Sequence, residues 1–264
     1  MSFFHTLFLG ALQGVTEFLP VSSSGHLALA QNLFGFDDPP LAFDVFLHFA
    51  TMMSIFVYFL RDILELSKEW FLGLTDKSLR ESSGWKYGWA VILGTFVTAI
   101  VALPIESVAS RAFGVPWAVA CGLIVTASLL NWAGRIALSD KSINIWTGLI
   151  AGLAQGFAVM PGISRSGSTI VATLMTGAKR EEAFRFSFLL SLPAIMGATL
   201  LEGTKVVKQQ AVLPDGWFYA CVLAFFCGLA SLRFMKKIVI FGRWRFFSLY
   251  CLLTAGIGFV IGMF

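Results

Sequence analysis

Six stretches of this chain are apolar over a length that crosses a bilayer, and this constrains its fold more than any single motif. They run over roughly 42–60, 88–104, 116–137, 183–203, 217–232 and 246–263, and about 20 mostly apolar residues in a helix span the hydrocarbon core. Charges or Pro/Gly punctuation bound them, as at Arg61-Asp62, Pro104, Arg135 and Arg233. Of the 264 residues, 57% are hydrophobic and only 13% charged, against about 25% charged in a typical soluble domain. Twenty-seven Phe and eight Trp cannot all be hidden inside one water-soluble globule, so lipid must solvate most of the surface. That excludes a soluble enzyme, a disordered chain and a conventional nucleic-acid binder. The net charge of +4 is read as basic loops beside a membrane. No nucleic-acid partner is expected. Cys121, Cys221, Cys227 and Cys251 lie in apolar stretches without a C-x-x-C pair, so they read as reduced packing residues. Met1 to His5 carry no basic region ahead of the first apolar run, and no cleaved signal peptide is expected.

Two further apolar regions do not behave as spans. Residues 3–34 are interrupted by Pro20-Val21-Ser22-Ser23-Ser24-Gly25-His26, and residues 145–176 by Pro161-Gly162-Ile163-Ser164-Arg165-Ser166-Gly167-Ser168-Thr169. Each arm is too short to cross, and irregular polar backbone at membrane depth survives only when buried in protein or lining a wet cavity. Both regions therefore read as re-entrant helical hairpins with polar tips.

The hairpins also resemble each other. At an offset of 142, Gly10, Gln13, Gly14, Ser22, Ser24 and Gly25 fall on Gly152, Gln155, Gly156, Ser164, Ser166 and Gly167. At an offset of 141, Ala42-Phe43 falls on Ala183-Phe184, placing Asp44 opposite Arg185. Three spans separate the hairpins, so the second enters from the opposite face. The expected fold is thus an all-α integral membrane protein of one domain. It has six transmembrane helices and two re-entrant hairpins, arranged as inverted-topology repeats over approximately 1–137 and 143–264, an architecture that places a site near the midplane. Of the Lys and Arg outside the tip and span starts, 14 fall on the face of the 61–87, 135–142, 177–182 and 233–245 loops and 3 on the other. The positive-inside rule makes the first face cytoplasmic and puts both termini outside.

The tips carry residues that lipid does not tolerate unpaired. Gln13 and Glu17 are four apart and share a helix face, followed by Ser22, Ser23, Ser24 and His26; the second tip brings Ser164, Arg165, Ser166, Ser168 and Thr169. Ionisable groups inside a bilayer point to function. The guanidinium fork of Arg165 suits phosphate oxygens. Gly-rich turns and helix N-termini add backbone donors, so the second tip reads as a cradle for phosphate or diphosphate. Glu17 and His26 are the acid–base candidates beside it. The competing reading makes Glu17–Arg165 a buried pair that fixes register, and the serines caps of helices or partners of carbonyls in the preceding turn. His48, four residues after Asp44, reads either as a supporting polar residue or as a satisfied core histidine.

At these residues the chain resembles the bacterial undecaprenyl-diphosphate phosphatase family, the bacitracin-resistance type of polytopic membrane phosphatase. The matching stretches are Gln13-Gly-Val-Thr-Glu17-Phe-Leu-Pro-Val-Ser-Ser-Ser-Gly-His26 and Pro161-Gly-Ile-Ser-Arg-Ser-Gly-Ser-Thr169, with support from Phe43-Asp44-Val45, His48 and Glu182-Ala183 leading into Phe186–Leu190. The resemblance implies hydrolysis of a C55 isoprenyl diphosphate to the monophosphate, which regenerates the carrier lipid for peptidoglycan, and a divalent cation, Mg²⁺ or Ca²⁺. It implies a location in the bacterial cytoplasmic membrane and site roles for Glu17, Ser22, Ser23, His26, Ser164, Arg165, Ser166 and Thr169. The family has Glu or Gln at the position of Gln13, so a cation site here would combine Glu17 with an amide oxygen.

Together these readings give an expected mechanism in a pocket opening toward the periplasmic side. The prenyl tail stays in lipid while the diphosphate reaches the tips. Arg165 and the hydroxyls of Ser22, Ser24, Ser164, Ser166 and Thr169 hold phosphate. Glu17 with Gln13 holds a metal or orients the nucleophile, and Ser23 or water attacks with His26 as base or leaving-group acid. The rival class is a polyprenyl-phosphate flippase or secondary transporter using the same inverted repeats. A second lipid phosphatase family shares the Ser24-Gly25-His26 element, but its other motifs are missing from the sequence. A homodimer is compatible with the apolar exterior, though no motif specifies one.

Overall fold

The computed structural model describes residues 2–35, 41–137, 139–208 and 213–263; the chain ends, Met1 and Phe264, fall outside these. Eleven α-helices and a 3-10 turn at Lys77–Glu81 make up the regular structure, and no strand occurs among the described residues. Local sequence sets many of the boundaries. The side chain of Ser2 accepts from His5 N–H to start α1 (Phe3–Thr16), and Ser22 caps α2 (Ser23–Leu33). Helices α3 (Leu41–Tyr58) and α4 (Leu60–Thr75) follow, bent by 73° at their junction. Ser82 caps α5 (Ser83–Phe113), and Pro116 opens α6 (Pro116–Ala133). Asn144 and Thr147 form a reciprocal capping box at α7 (Ile145–Phe157), and Ser164 caps α8 (Arg165–Met175). The chain continues through α9 (Arg180–Lys208), α10 (Trp217–Phe241) and α11 (Trp244–Ile261).

Helices α5, α6, α9, α10 and α11 are long and apolar enough to cross a membrane, and α3 with α4 would be a sixth span across their bend. This is a multi-pass membrane protein. α1 and α7, at 14 and 13 residues, fall short of the roughly 20 needed to cross. Several helices outrun their apolar cores. α5 passes through Pro104 to Phe113, and α10 passes through Arg233, Lys236 and Lys237 to Phe241. Lys and Arg are good helix formers, so charge marks where lipid contact ends and not where the helix ends.

The expected 61–87 loop is largely α4. Its charges mask an inner face of Ile63, Leu66, Trp70 and Gly73, which packs on the start of α5, while Leu64, Phe71 and Leu72 stay exposed. The Trp70 indole fills the space at Gly88, where a Cβ would come within 2.1 Å of it. This basic end of the molecule is tied together by Arg185–Asp62 at 2.7 Å, Lys236–Glu181 at 2.8 Å and Lys179–Asp140 at 3.6 Å. The four loops that sequence assigned to one face thus do converge.

Packing runs crosswise. α1 lies against α10, α7 lies against α5, α3 against α9, and α6 against α11. The two short helices make their contacts through glycine. A Cβ at Gly10 or Gly14 would come within 2.5 Å of the Ala220 or Ala224 carbonyl, and one at Gly152 within 2.3 Å of the Gly94 carbonyl. Close backbone approach of this kind holds membrane helices together where no hydrophobic effect separates lipid from protein. Gly152→Val would force a side chain into the α5 backbone. Its melting transition in detergent should fall by the equivalent of about 1–3 kcal/mol, whereas Leu153→Ala, on the exposed face of α7, should leave the transition nearly unmoved.

Candidate active site

α1 ends at Glu17, and the chain turns through Phe18-Leu19-Pro20-Val21 before Ser22 opens α2. Proline cannot continue the helix here. Ser22 takes φ +67°, making it the one non-glycine residue with positive φ among the described residues, a conformation that costs of order 1–3 kcal/mol. α7 ends in the same way before Pro161, and there Gly162, at φ +85°, makes the left-handed turn without a Cβ penalty. Small residues then let the tips touch. A Cβ at Gly25 would lie 3.2 Å from Gly162 Cα, and Ser166 Oγ donates to the Leu19 carbonyl at 3.3 Å.

Glu17 is the hub where the tips meet, with a side chain only 5% exposed. Arg165 Nη1 lies 3.3 Å from its Oε1. Its Oε2 accepts from Ser23 Oγ at 2.5 Å and from Gln13 Nε2 at 2.9 Å. The other hydrogen of the Gln13 amide reaches His48 Nδ1 at 2.9 Å, leaving that nitrogen 3.5 Å from Glu17 Oε2. A carboxylate this buried is tolerable because each oxygen has a charged or hydrogen-bonded partner.

Beside Glu17 and Arg165 opens a narrow crevice, walled also by Ser166, Thr169, Ser187 and Ser191 and, on its apolar side, by Phe18, Ile55, Phe188 and Ile195. One wall is polar and basic and the other greasy. Thr169 Oγ1 donates to the Arg165 carbonyl at 2.8 Å and pairs with the Ser187 hydroxyl, fixing the start of α8 against α9. Ser164 Oγ accepts from Gly167 N–H at 3.1 Å and lies 3.3 Å from Ser166 Oγ. In the first tip Ser22 Oγ lies 3.2 Å from Ser24 Oγ. Gln13, Glu17, Ser23 and Arg165 thus form one contiguous polar cluster, joined by His48, with Ser164, Ser166 and Thr169 on the adjoining turn.

His26 stands apart from that cluster. Its Nδ1 lies 2.8 Å from the Ser22 carbonyl and its Nε2 2.8 Å from the Tyr250 hydroxyl of α11, and it is not among the residues lining the crevice. Sequence reasoning missed Tyr250, Thr126 and Ser191, single hydroxyls inside apolar spans with no local pattern to mark them. Thr126 of α6 holds the second tip from outside. Its Oγ1 donates to the Gly162 carbonyl at 2.7 Å and accepts from Ser164 N–H at 2.9 Å. Thr126→Val keeps the shape but leaves two buried backbone groups unpaired. It should lower stability in detergent by about 1–3 kcal/mol, as read from the melting midpoint.

A family model described as bacitracin resistance protein BacA matches residues 6–257. An undecaprenyl-diphosphatase of Syntrophotalea carbinolica is 40% identical, with 99% of each chain covered. One from Desulfosudis oleivorans is 39% identical over 97% of each chain, and one from Korarchaeum cryptofilum is 36% identical over 96% of this chain and 97% of its own. With matches over nearly its whole length, this chain belongs to the BacA bacitracin-resistance family.

Proposed function

We propose that the protein hydrolyses undecaprenyl diphosphate to undecaprenyl phosphate and inorganic phosphate, recycling the carrier lipid of cell-wall synthesis and conferring resistance to bacitracin. The observation that carries this is that Glu17 joins Arg165 to Ser23, and that Glu17 and Arg165 line a crevice that is polar on one wall and apolar on the other. The relatives' name, undecaprenyl-diphosphatase, supplies the substrate.

Arg165 clamps the terminal phosphate and offsets the charge that spreads over its oxygens during transfer. The N-terminus of α8 adds backbone donors on one side, where the hydroxyls of Ser164, Ser166 and Thr169 turn from their present partners to the phosphate, and Ser22 and Ser24 do so on the other. Ser23, already bonded to Glu17 at 2.5 Å, attacks the terminal phosphorus and its proton passes to Glu17. The bond from phosphorus to the bridging oxygen breaks, and the electron pair leaves with the lipid monophosphate, which receives the proton. Glu17 then takes a proton from the water that attacks phosphoserine, the bond from phosphorus to Ser23 Oγ breaks with its electron pair left on that oxygen, and Glu17 returns the proton to it as inorganic phosphate departs. Glu17 stands where a base for Ser23 must stand, so this role falls to it in preference to His26. Gln13 and His48 hold the Glu17 carboxylate in place.

Gln13 Oε1 is buried with no hydrogen-bond partner among the described residues. An amide oxygen beside a carboxylate and a serine hydroxyl makes a small set of hard oxygen donors, suited to a cation whose other ligands are water and substrate phosphate. Gln13 and Glu17 would hold Mg²⁺ or Ca²⁺ there, and the bound ion would neutralise diphosphate charge.

The crosswise packing supports two inverted-topology repeats with α1–α2 and α7–α8 as re-entrant hairpins. The convergence of basic loops at one end supports a cytoplasmic location for that end. The protein then resides in the bacterial cytoplasmic membrane with both termini and the first hairpin's mouth facing the periplasm, and the prenyl tail leaves the crevice past Ile55 and Ile195 into lipid. The same repeats favour, as the second reading, a flippase or transporter that moves the lipid without cleaving it.

Purified protein in detergent should release inorganic phosphate from undecaprenyl diphosphate, and EDTA should suppress release until Mg²⁺ or Ca²⁺ is restored. Arg165→Ala and Ser23→Ala should each lower kcat by about 10²–10⁴, and brief reaction with labelled diphosphate should leave label on Ser23. Lipid movement across vesicles without phosphate release would favour the transporter reading instead.

A further inference from the structure

We infer that His26 and Tyr250 form a brace that holds the first tip in shape, and that His26 serves the reaction through Ser22 and Ser23 and not as a carrier of protons. The inference rests on the reading of Ser23, Glu17 and Arg165 as the reacting centre.

Ser22 is the left-handed residue of that tip, and its carbonyl receives two hydrogen bonds from one residue: the backbone N–H of His26 at 3.2 Å and the ring at Nδ1, 2.8 Å away. A carbonyl only accepts, so Nδ1 carries the hydrogen, and in the neutral imidazole Nε2 presents a lone pair. The Tyr250 hydroxyl fills it at 2.8 Å. The two ring planes are parallel to within 2°, with centroids 5.5 Å apart. The ring of Tyr250 is 39% exposed on the outside of α11, with its oxygen turned inward. Three links therefore connect α11 to the strained turn: the Tyr250 hydroxyl, the His26 ring and the Ser22 carbonyl. The next residue of α11, Cys251, places Sγ 3.7 Å from the Pro20 carbonyl and touches the other limb of the turn.

The second tip is held in a comparable way. Its left-handed residue is Gly162, and the Thr126 hydroxyl of α6 bonds the Gly162 carbonyl and the Ser164 N–H. α6 and α11 are packed against each other, and each sends a hydroxyl to one tip. The first tip needs the additional imidazole because serine, unlike glycine, resists positive φ. With both ring nitrogens spent on this chain, His26 has none aimed into the crevice. It is a positioning residue, and what it positions is the Ser23 hydroxyl at Glu17.

Replacement of His26 by asparagine separates a brace from a proton carrier. In α2 an asparagine already donates to the carbonyl four residues earlier, as Asn32 Nδ2 does to Ala28 at 2.9 Å. His26→Asn therefore keeps the donor to Ser22 but cannot shuttle protons. Phosphate release from undecaprenyl diphosphate should lose about 100-fold in kcat in His26→Ala, the scale of a misplaced reacting group. His26→Asn should stay within about tenfold of the parent, the scale of a lost hydrogen bond. Tyr250→Phe should cost about five- to tenfold in kcat with KM little changed, and nothing further in the His26→Asn background. Asparagine as damaging as alanine in a protein that melts normally, or Tyr250→Phe with full turnover, would overturn the brace. Full turnover in Ser23→Ala and Arg165→Ala would instead remove the reading of the centre on which it rests.

Discussion

The contact between Glu17 and Arg165 governs this structure. Each charge sits at the tip of a short helix pair within an apolar bundle, where an unpaired ionised group is prohibitively costly. The pair is tolerable only if both tips arrive at one point, so the arms that deliver them must end together. That requirement explains the two shortest apolar helices, the proline that follows each, and the small residues that let the turns touch. A loose fit would strand a carboxylate on one side and a guanidinium on the other.

Support for each tip comes from distant parts of the chain. α1 is seated on α10 and α7 on α5, through glycines whose absent side chains let backbones meet. The clamps follow the same logic, with α6 gripping the second turn through Thr126 and α11 the first through Tyr250. Neither turn depends on its own neighbours alone. For the proposed reaction, which brings a hydroxyl, a carboxylate and a guanidinium within hydrogen-bond reach, this cross-bracing substitutes for the rigidity that a hydrophobic core gives a soluble enzyme, since lipid provides no comparable driving force between helices.

Much of this was legible in the sequence, because bilayer thickness turns composition into geometry. The apolar stretches, the two breaks and the polar residues at their tips could be found without coordinates, and so could the meeting of Glu17 with Arg165, since lipid leaves a charge few alternatives. Hydropathy was less informative about helix ends. It registers contact with lipid, and so it missed the continuation of α10 past Arg233 and the whole of α4, whose charges overlie a packed face of Ile63, Leu66 and Trp70. The supporting residues were illegible for another reason. Nothing near Tyr250 or Thr126 in the chain announces a partner, because the partners are Ser22, His26, Gly162 and Ser164, brought close only by folding. His48 showed its position relative to Asp44 but not its contact with Gln13, and His26 was read from its tip motif without any sign that both of its nitrogens were already taken.

The seating of α1 on α10 has a bearing on how the protein is made. A ribosome delivers α1 long before α10, the surface that receives it, and until then its glycine-lined face has no mate. The nascent amino-terminal region must wait at the translocon or the bilayer surface as an unfinished fragment, with the last-synthesised helices closing the assembly. Truncation near the carboxyl terminus would therefore disable the earliest part of the chain as surely as damage to that part itself.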